Sequence, residues 1–315
     1  MTSDDASTFT TRAAAGGFVV ILVALGIGIV VARPAAAPDD LSILASIILG
    51  LVEGLTEYLP VSSTGHLLVT QDLLGLGGTD SADLALDTYA ICIQAGAILA
   101  VVVLYRDRLL QMARGVTGGD ADGRRLLGAT IAAFVLTVVI ALLFQDLVRD
   151  RLFGPVPIAI AWIAGGIGVL ALVRTHRLDR PGLDITELSL KSAAVIGVAQ
   201  AFAIWPGVSR SLVTIVAAVL VGLSLGAAVE FSFILGLATL SAATAYEAID
   251  NGSNLIDTFG IASPIIGLIV AFLSALLAIR WMVGWLEQRG FGVFGWYRIV
   301  AGLVVVLFLL TGVLD

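Results

Sequence analysis

Apolar runs long enough to cross a bilayer, separated by short charged stretches, constrain this chain more than any other feature. They fall at roughly 16–33, 86–105, 126–147, 156–173, 226–247, 262–281 and 296–313, each near the roughly 20 residues that a helix needs to cross hydrocarbon. With 59% hydrophobic and 13% charged residues, too few charges exist to clothe a water-soluble surface, for which about 25% is usual. The sequence therefore predicts an all-α, polytopic membrane protein. A formal net charge of −7 argues against a nucleic-acid partner. Cys92 is the only cysteine, so no intrachain disulfide can form, and it reads as a small buried hydrophobe.

Two further apolar segments, 41–76 and 188–224, are interrupted near their middles by Leu59-Pro60-Val61-Ser62-Ser63-Thr64-Gly65-His66 and Trp205-Pro206-Gly207-Val208-Ser209-Arg210-Ser211. Irregular backbone at membrane depth is tolerated only where protein or a polar cavity surrounds it. Both segments are therefore expected to be re-entrant helical hairpins. Arginines crowd three connections: Arg106 to Arg125, Arg174 to Lys191, and Arg280, Arg289 and Arg298. The positive-inside rule assigns these to the cytoplasm. The acidic connections Asp80–Asp87 and Glu247–Asp257 are then external. This alternation closes if residues 41–76 dip in from outside and 188–224 from the cytoplasm.

An offset of 147 residues lays the second broken segment on the first. Leu41-Ser42 meets Leu188-Ser189, Gly50 meets Gly197, Glu53 meets Gln200, Val61-Ser62 meets Val208-Ser209, and Thr64 meets Ser211. Three spans separate the copies, so the second is expected to be inverted, with both tips meeting near the midplane. The domain reading is an N-terminal extension, 1–40, carrying an extra helix or a signal-like stretch, followed by a membrane domain, 41–315, with repeats starting near 41 and 188.

Glu53 and Glu57 stand four apart and share a helical face. Charges inside a span are costly and mark function, and two adjacent carboxylates call for a cation or a shared proton. Ser62, Ser63 and Thr64 begin a helix whose free N–H groups and positive dipole end suit phosphate, although Ser and Thr also serve there as ordinary caps. His66, three residues after Ser63, is within reach to act as its acid/base partner. Arg210, with Ser209 and Ser211 at the second tip, offers a guanidinium fork that matches phosphate oxygens or a carboxylate such as Glu53 or Glu57. Such an inventory fits phosphoryl transfer on a lipid phosphate.

The run Glu53-Gly54-Leu55-Thr56-Glu57-Tyr58-Leu59-Pro60-Val61-Ser62-Ser63-Thr64-Gly65-His66 closely resembles the first signature of the undecaprenyl-diphosphate phosphatases of the bacitracin-resistance family. Pro206-Gly207-Val208-Ser209-Arg210-Ser211 resembles the second. The resemblance runs from about residue 41 to the C-terminus. It implies hydrolysis of undecaprenyl diphosphate to the monophosphate and inorganic phosphate, which recycles the carrier lipid for cell-wall synthesis. It further implies dependence on Mg²⁺ or Ca²⁺ and a site in the plasma (inner) membrane opening to the outer face; the sequence leaves the oligomeric state open, a homodimer among the options. Carried over by position, Glu53 and Glu57 would serve the metal, and Ser63 and His66 the nucleophile and acid/base pair, with Ser62 or an activated water as other nucleophiles. Ser209 and Arg210 would hold the diphosphate. Two positions depart from the pattern: Leu212 replaces a glycine, and Ala90 stands near an expected acid, for which Asp87 is the substitute. A polyprenyl-phosphate transporter or flippase would share the inverted-repeat cavity but has no use for a Ser–His pair.

Overall fold

The computed structural model describes residues 41–314 apart from Asp179. The extension 1–40, with its expected helix or signal-like stretch, lies outside the described residues. Eleven α-helices follow in order: α1 Ile43–Thr56, α2 Ser63–Leu73, α3 Asp80–Leu104, α4 Arg106–Val116, α5 Ala121–Leu152, α6 Pro155–Arg174, α7 Leu190–Ala201, α8 Arg210–Leu220, α9 Leu225–Phe259, α10 Ala262–Arg289 and α11 Gly292–Leu310. Among the described residues the only β pairing is an isolated bridge between Leu183 and Leu223.

Local chemistry sets the helix starts. The side chains of Ser42, Thr79, Asp120, Ser189 and Ser224 each accept a first-turn N–H, as N-caps do. Pro155 opens α6, where its missing N–H costs nothing. Six helices, α3, α5, α6, α9, α10 and α11, are long and apolar enough to span a membrane. Their outward faces are apolar: Ile265, Ile269, Leu273 and Leu277 recur every four residues along α10 and are exposed. A stripe of this kind is a liability in water and the natural surface in lipid. The chain is a multi-pass membrane protein.

Packing follows a paired scheme. The short helix α1 lies along α10, and α7, its counterpart in the second half, lies along α5. The pairs α3–α9 and α6–α11 complete the bundle. Both α2 and α8 have 11 residues, and they begin 147 positions apart, at Ser63 and Arg210. The residue before each is a serine with positive φ, 75° at Ser62 and 74° at Ser209. Outside glycine such a backbone costs on the order of 1–3 kcal/mol and persists only where its surroundings enforce it.

Three connections differ from expectation, the acidic one at Asp80–Asp87 forming the first turns of α3. The Arg106–Arg125 stretch is not a plain loop, because α4 forms there and folds back on the start of α5. An acidic first turn (Asp107) and a basic last turn (Arg114) suit its dipole. Arg108 pins it to α9 through both oxygens of Glu230, at 2.7 and 3.3 Å. The acidic stretch Glu247–Asp257 is likewise helical, since α9 continues to Phe259.

At the α1–α10 crossing a Cβ on Gly54 would collide with backbone atoms of Ala271 and Ala275, whereas Gly284 on α10 faces open space. Gly54→Ala should lower thermal stability in detergent by about 1–3 kcal/mol through overpacking. Gly284→Ala should hold or raise it, because alanine favours the helix; melting curves of the two purified variants check the contrast.

Candidate active site

The chain leaves helical geometry after Thr56 and resumes it at Ser63; in the second half it does so between Ile204 and Arg210. These two breaks meet. The Ser63 hydroxyl donates to Oε2 of Glu57. Oε1 of the same carboxylate accepts from Arg210 at 3.1 Å, so Glu57 joins the two breaks and is almost fully buried. Arg210 also donates to the Ser232 carbonyl at 2.8 Å and lies 5.0 Å over the Tyr58 ring, a cation–π arrangement. Gly236 on α9 makes room for it, because a Cβ there would strike the guanidinium.

Direct bonds tie one break to the other. Gly207 N–H donates to Ser62 Oγ at 3.1 Å, and the Ser211 hydroxyl donates to the Leu59 carbonyl at 2.8 Å. With its proton so committed, Ser211 must accept from Ser209, whose hydroxyl is 3.1 Å away. Arg298 contributes three more bonds, to the carbonyls of Pro60 (3.4 Å), Gly207 (2.8 Å) and Ala161 (2.9 Å). This corrects the assignment of Arg298 to an Arg-rich cytoplasmic connection: it is 0% exposed. The helix α11 starts at Gly292, six residues earlier than Arg298, so the guanidinium is carried into the interior.

A cavity of about 270 Å³ opens where the breaks meet. Glu57, Ser62, Ser63 and Thr64 line it from one side, and Ser209 and Arg210 from the other. Ser211 sits just behind, fully buried. The starts of α2 and α8 therefore face one space, each bringing N–H groups and a positive dipole end. Glu53 does not line the cavity. It is fully buried, its neighbours in charge are Glu57 and Arg210, and its oxygens meet no donor group among the described residues, the Glu57 carboxyl alone lying close enough to share a proton with it. Among the described residues no three acidic, His or Cys side chains converge as a ready metal cage. The acids available to a cation are thus the pair Glu53 and Glu57.

His66 departs from the expected Ser–His pair. Ser63 already gives its proton to Glu57, and both imidazole nitrogens are engaged elsewhere. Nδ1–H donates to the Ser62 carbonyl at 2.6 Å, and the Tyr297 hydroxyl, 2.7 Å away, donates to Nε2. The tautomer follows, because a carbonyl can only accept. The ring packs against Trp162 at 4.4 Å and stacks on Tyr297 at 5.7 Å. Asp87 also lies apart, on a separate cavity of about 290 Å³ with Asp72 and Asp83, so it does not stand in for an acid at position 90 in the main cavity.

Several lining residues went unassigned in the sequence reading: Thr137, Gln200, Trp205 and Thr239. Gln200 occupies the repeat position of Glu53, a polar residue in an apolar helix, and that was a usable signal. It donates to Thr137 Oγ1 at 3.0 Å, and Thr137 passes its proton to the Gly197 and Ala133 carbonyls. This chain fixes the amide orientation and leaves Gln200 Oε1 without a donor. Threonine is common in spans, so Thr137 carried no such signal.

Residues 46–304 match the family described as bacitracin resistance protein BacA. The chain is 46% identical over 266 residues to an undecaprenyl-diphosphatase of Sorangium cellulosum, covering 82% of this chain and 84% of the relative. It is 41% identical over 279 residues to the undecaprenyl-diphosphatase of Nitrosomonas europaea, covering 88% and 98%. Undecaprenyl-diphosphatase 1 of Chromobacterium violaceum is 44% identical over 262 residues, covering 82% and 94%.

The hydrogen bond from Tyr297 to His66 is partly buried and holds the ring whose Nδ1–H grips the Ser62 carbonyl. Tyr297→Phe leaves Nε2 without its donor and should cost about 1–3 kcal/mol of stability. Tyr246→Phe, at a 70% exposed position, should cost nothing measurable. Thermal unfolding of both variants is the check.

Proposed function

The chain belongs to the bacitracin resistance protein BacA family, and from that premise we propose that it is an integral membrane phosphatase. It hydrolyses undecaprenyl (polyprenyl) diphosphate to the monophosphate and inorganic phosphate, recycling the carrier lipid for cell-wall synthesis. One observation carries the chemistry: a serine hydroxyl bonded to a buried carboxylate that an arginine from the other half also grips, at the mouth of two helix N-termini.

In this reading the terminal phosphate enters the cavity and exchanges places with Glu57 as the partner of Arg210. The guanidinium fork and the N–H groups at the starts of α2 and α8 hold its oxygens. Glu57 takes the Ser63 proton as Oγ attacks the terminal phosphorus, and the bond from that phosphorus to the bridging oxygen breaks. Glu57 passes that proton to the leaving oxygen, so the polyprenyl monophosphate departs with it and the carboxylate is restored. Glu57 then takes a proton from the water that attacks the phosphoserine and returns it to Ser63 Oγ as inorganic phosphate leaves. The serine is favoured over a directly activated water because its proton already points at the base. His66 orients Ser62 and thereby the start of α2, a different role from the acid/base partner the sequence suggested.

The donor set suits a hard divalent cation, Mg²⁺ or Ca²⁺. Glu53 and Glu57 would hold it with hydroxyl, water and phosphate oxygens, and the carboxylate oxygens of Glu53, which meet no donor group among the described residues, support that fit. When bound it would neutralise charge on the phosphate oxygens. Arginines at α4 and near 174–180 favour a cytoplasmic location for that end of the bundle, and with it a site open to the outer face of the plasma membrane. A flippase working by alternating access would have to part the two breaks; the bonds from Gly207 to Ser62 and from Ser211 to Leu59 oppose that.

Purified protein should release inorganic phosphate from a polyprenyl diphosphate in the presence of Mg²⁺ or Ca²⁺, and a chelator should abolish the release. Glu57→Gln and Ser63→Ala should each lower kcat/KM by about 10²–10⁴-fold. No release with either cation would sink the hydrolase reading, and full activity in chelator would remove the cation from it. Near-normal turnover by Ser63→Ala would shift the attack to water or Ser62.

A further inference from the structure

Arg298 is the feature that the reaction scheme leaves unused. It is a fully buried guanidinium in a span-length helix, and among the described residues no carboxylate pairs with it. Burying a cation in this way is costly. A leucine or methionine would fill the same space at less expense, so packing does not account for the residue. Its bonds do.

The guanidinium reaches three segments together: the first break at Pro60, the second at Gly207, and α6 at Ala161. The carbonyls of Pro60 and Gly207 lie where helical pairing has stopped, so each needs an outside donor. Lysine, a point charge on a flexible stem, cannot reproduce that planar fork. Gly207 is gripped from both ends, its carbonyl by Arg298 and its N–H by Ser62 Oγ. Its φ of +92° and the tight approach of Ile158 and Ala161 exclude a side chain. Ser62 directly precedes Ser63, and Gly207 lies three residues before Arg210. One guanidinium thus sets the distance between the half of the site that attacks and the half that holds the phosphate.

We propose that Arg298 is a positioning residue that fixes the spacing of the two breaks and so governs the rate of phosphoryl transfer more than the affinity for substrate. This inference rests on the hydrolase reading above. Gly165 on α6 offers a way to test it that leaves the arginine in the chain. A Cβ there would overlap Nη2, the nitrogen bonded to Ala161 and Gly207, and lie 3.0 Å from Cζ and Nε, whereas a Cβ on Gly168 of the same helix meets nothing within 4 Å. Gly165→Ala therefore displaces Arg298 from its carbonyls without removing it, and alanine in place of glycine favours the helix.

The experiment measures kcat, KM and thermal midpoint for detergent-purified wild type, Gly165→Ala, Gly168→Ala, Arg298→Lys and the Gly165→Ala/Arg298→Lys double variant, with a polyprenyl diphosphate as substrate. Gly165→Ala should lower kcat about tenfold or more, since a misplacement of about 1 Å can cost about 10²-fold. Its KM should stay within about threefold; its thermal midpoint should fall, because carbonyls lose their donor, but the loss of kcat should persist at temperatures where the variant is fully folded. Gly168→Ala should match wild type. Arg298→Lys should lose at least as much kcat as Gly165→Ala, and the double variant should be no worse than Arg298→Lys alone, because both changes act on one contact. Wild-type kcat in Gly165→Ala would overturn the proposal, as would a loss that only tracks the fraction of unfolded protein. Multiplying losses in the double variant would also overturn it. An inactive wild type would instead defeat the hydrolase reading, and the two failures are distinct.

Discussion

The structure depends on how the backbone groups left open by two interrupted helices are satisfied inside a low-dielectric bundle. Each such group left unpaired in hydrocarbon costs several kcal/mol, so the breaks must find partners, and they find them in each other. Leu59 O takes the Ser211 hydroxyl, Pro60 O and Gly207 O take Arg298, and Gly207 N–H takes Ser62. The packing of α1 on α10 and of α7 on α5 delivers the tips to this point. Once there, the same shortage of partners that threatens the fold leaves helix-start N–H groups facing a cavity, which is what a phosphate needs.

The two halves are alike in backbone and unlike in chemistry, and a single proline explains part of the difference. Ser62 and Ser209 share a positive φ and equivalent positions. Ser62 accepts the N–H of Gly207 from across the junction. The reciprocal bond would run from residue 60 to Ser209, but Pro60 has no N–H to give. Ser209 therefore turns back and caps its own helix at Leu212 N, whereas Ser62 makes no side-chain cap. The next position diverges outright: Ser63 in one copy, Arg210 in the other, joined through Glu57.

The sequence disclosed what depends on local composition. The six long helices were legible because hydropathy over about 20 residues is a local quantity, and the breaks because Pro, Gly and Ser stand out in apolar surroundings. The convergence of Glu57, Ser62, Ser63, Thr64, Ser209 and Arg210 on one cavity was also legible, since the internal offset linked the segments. Directions of side chains were not. His66 lies three residues from Ser63, yet its ring turns to α6 and α11, toward Trp162 and Tyr297, residues about a hundred and more than two hundred positions away. Arg298 was grouped with loop arginines because it lies near the edge of an apolar run, and only its distant carbonyl partners reveal where it points. The α4 helix was hidden for the opposite reason: its polarity reads as a loop, and the Arg108–Glu230 pair that holds it is long-range.

Charge balance ties these parts together. The junction holds two buried carboxylates, Glu53 and Glu57, the buried guanidinium of Arg298, and the partly buried one of Arg210, which lines the cavity. A diphosphate headgroup adds negative charge to an interior with no other buried cation nearby among the described residues, and Arg210 can serve it only by releasing Glu57. Glu57 then faces Glu53, and at membrane depth that pair calls for a shared proton or a cation. Substrate entry thus creates a demand for positive charge beside the two acids that the protein's own side chains do not meet. A divalent cation arriving with the diphosphate would meet it, which supports the proposed cation dependence on grounds separate from the motif that first pointed to it.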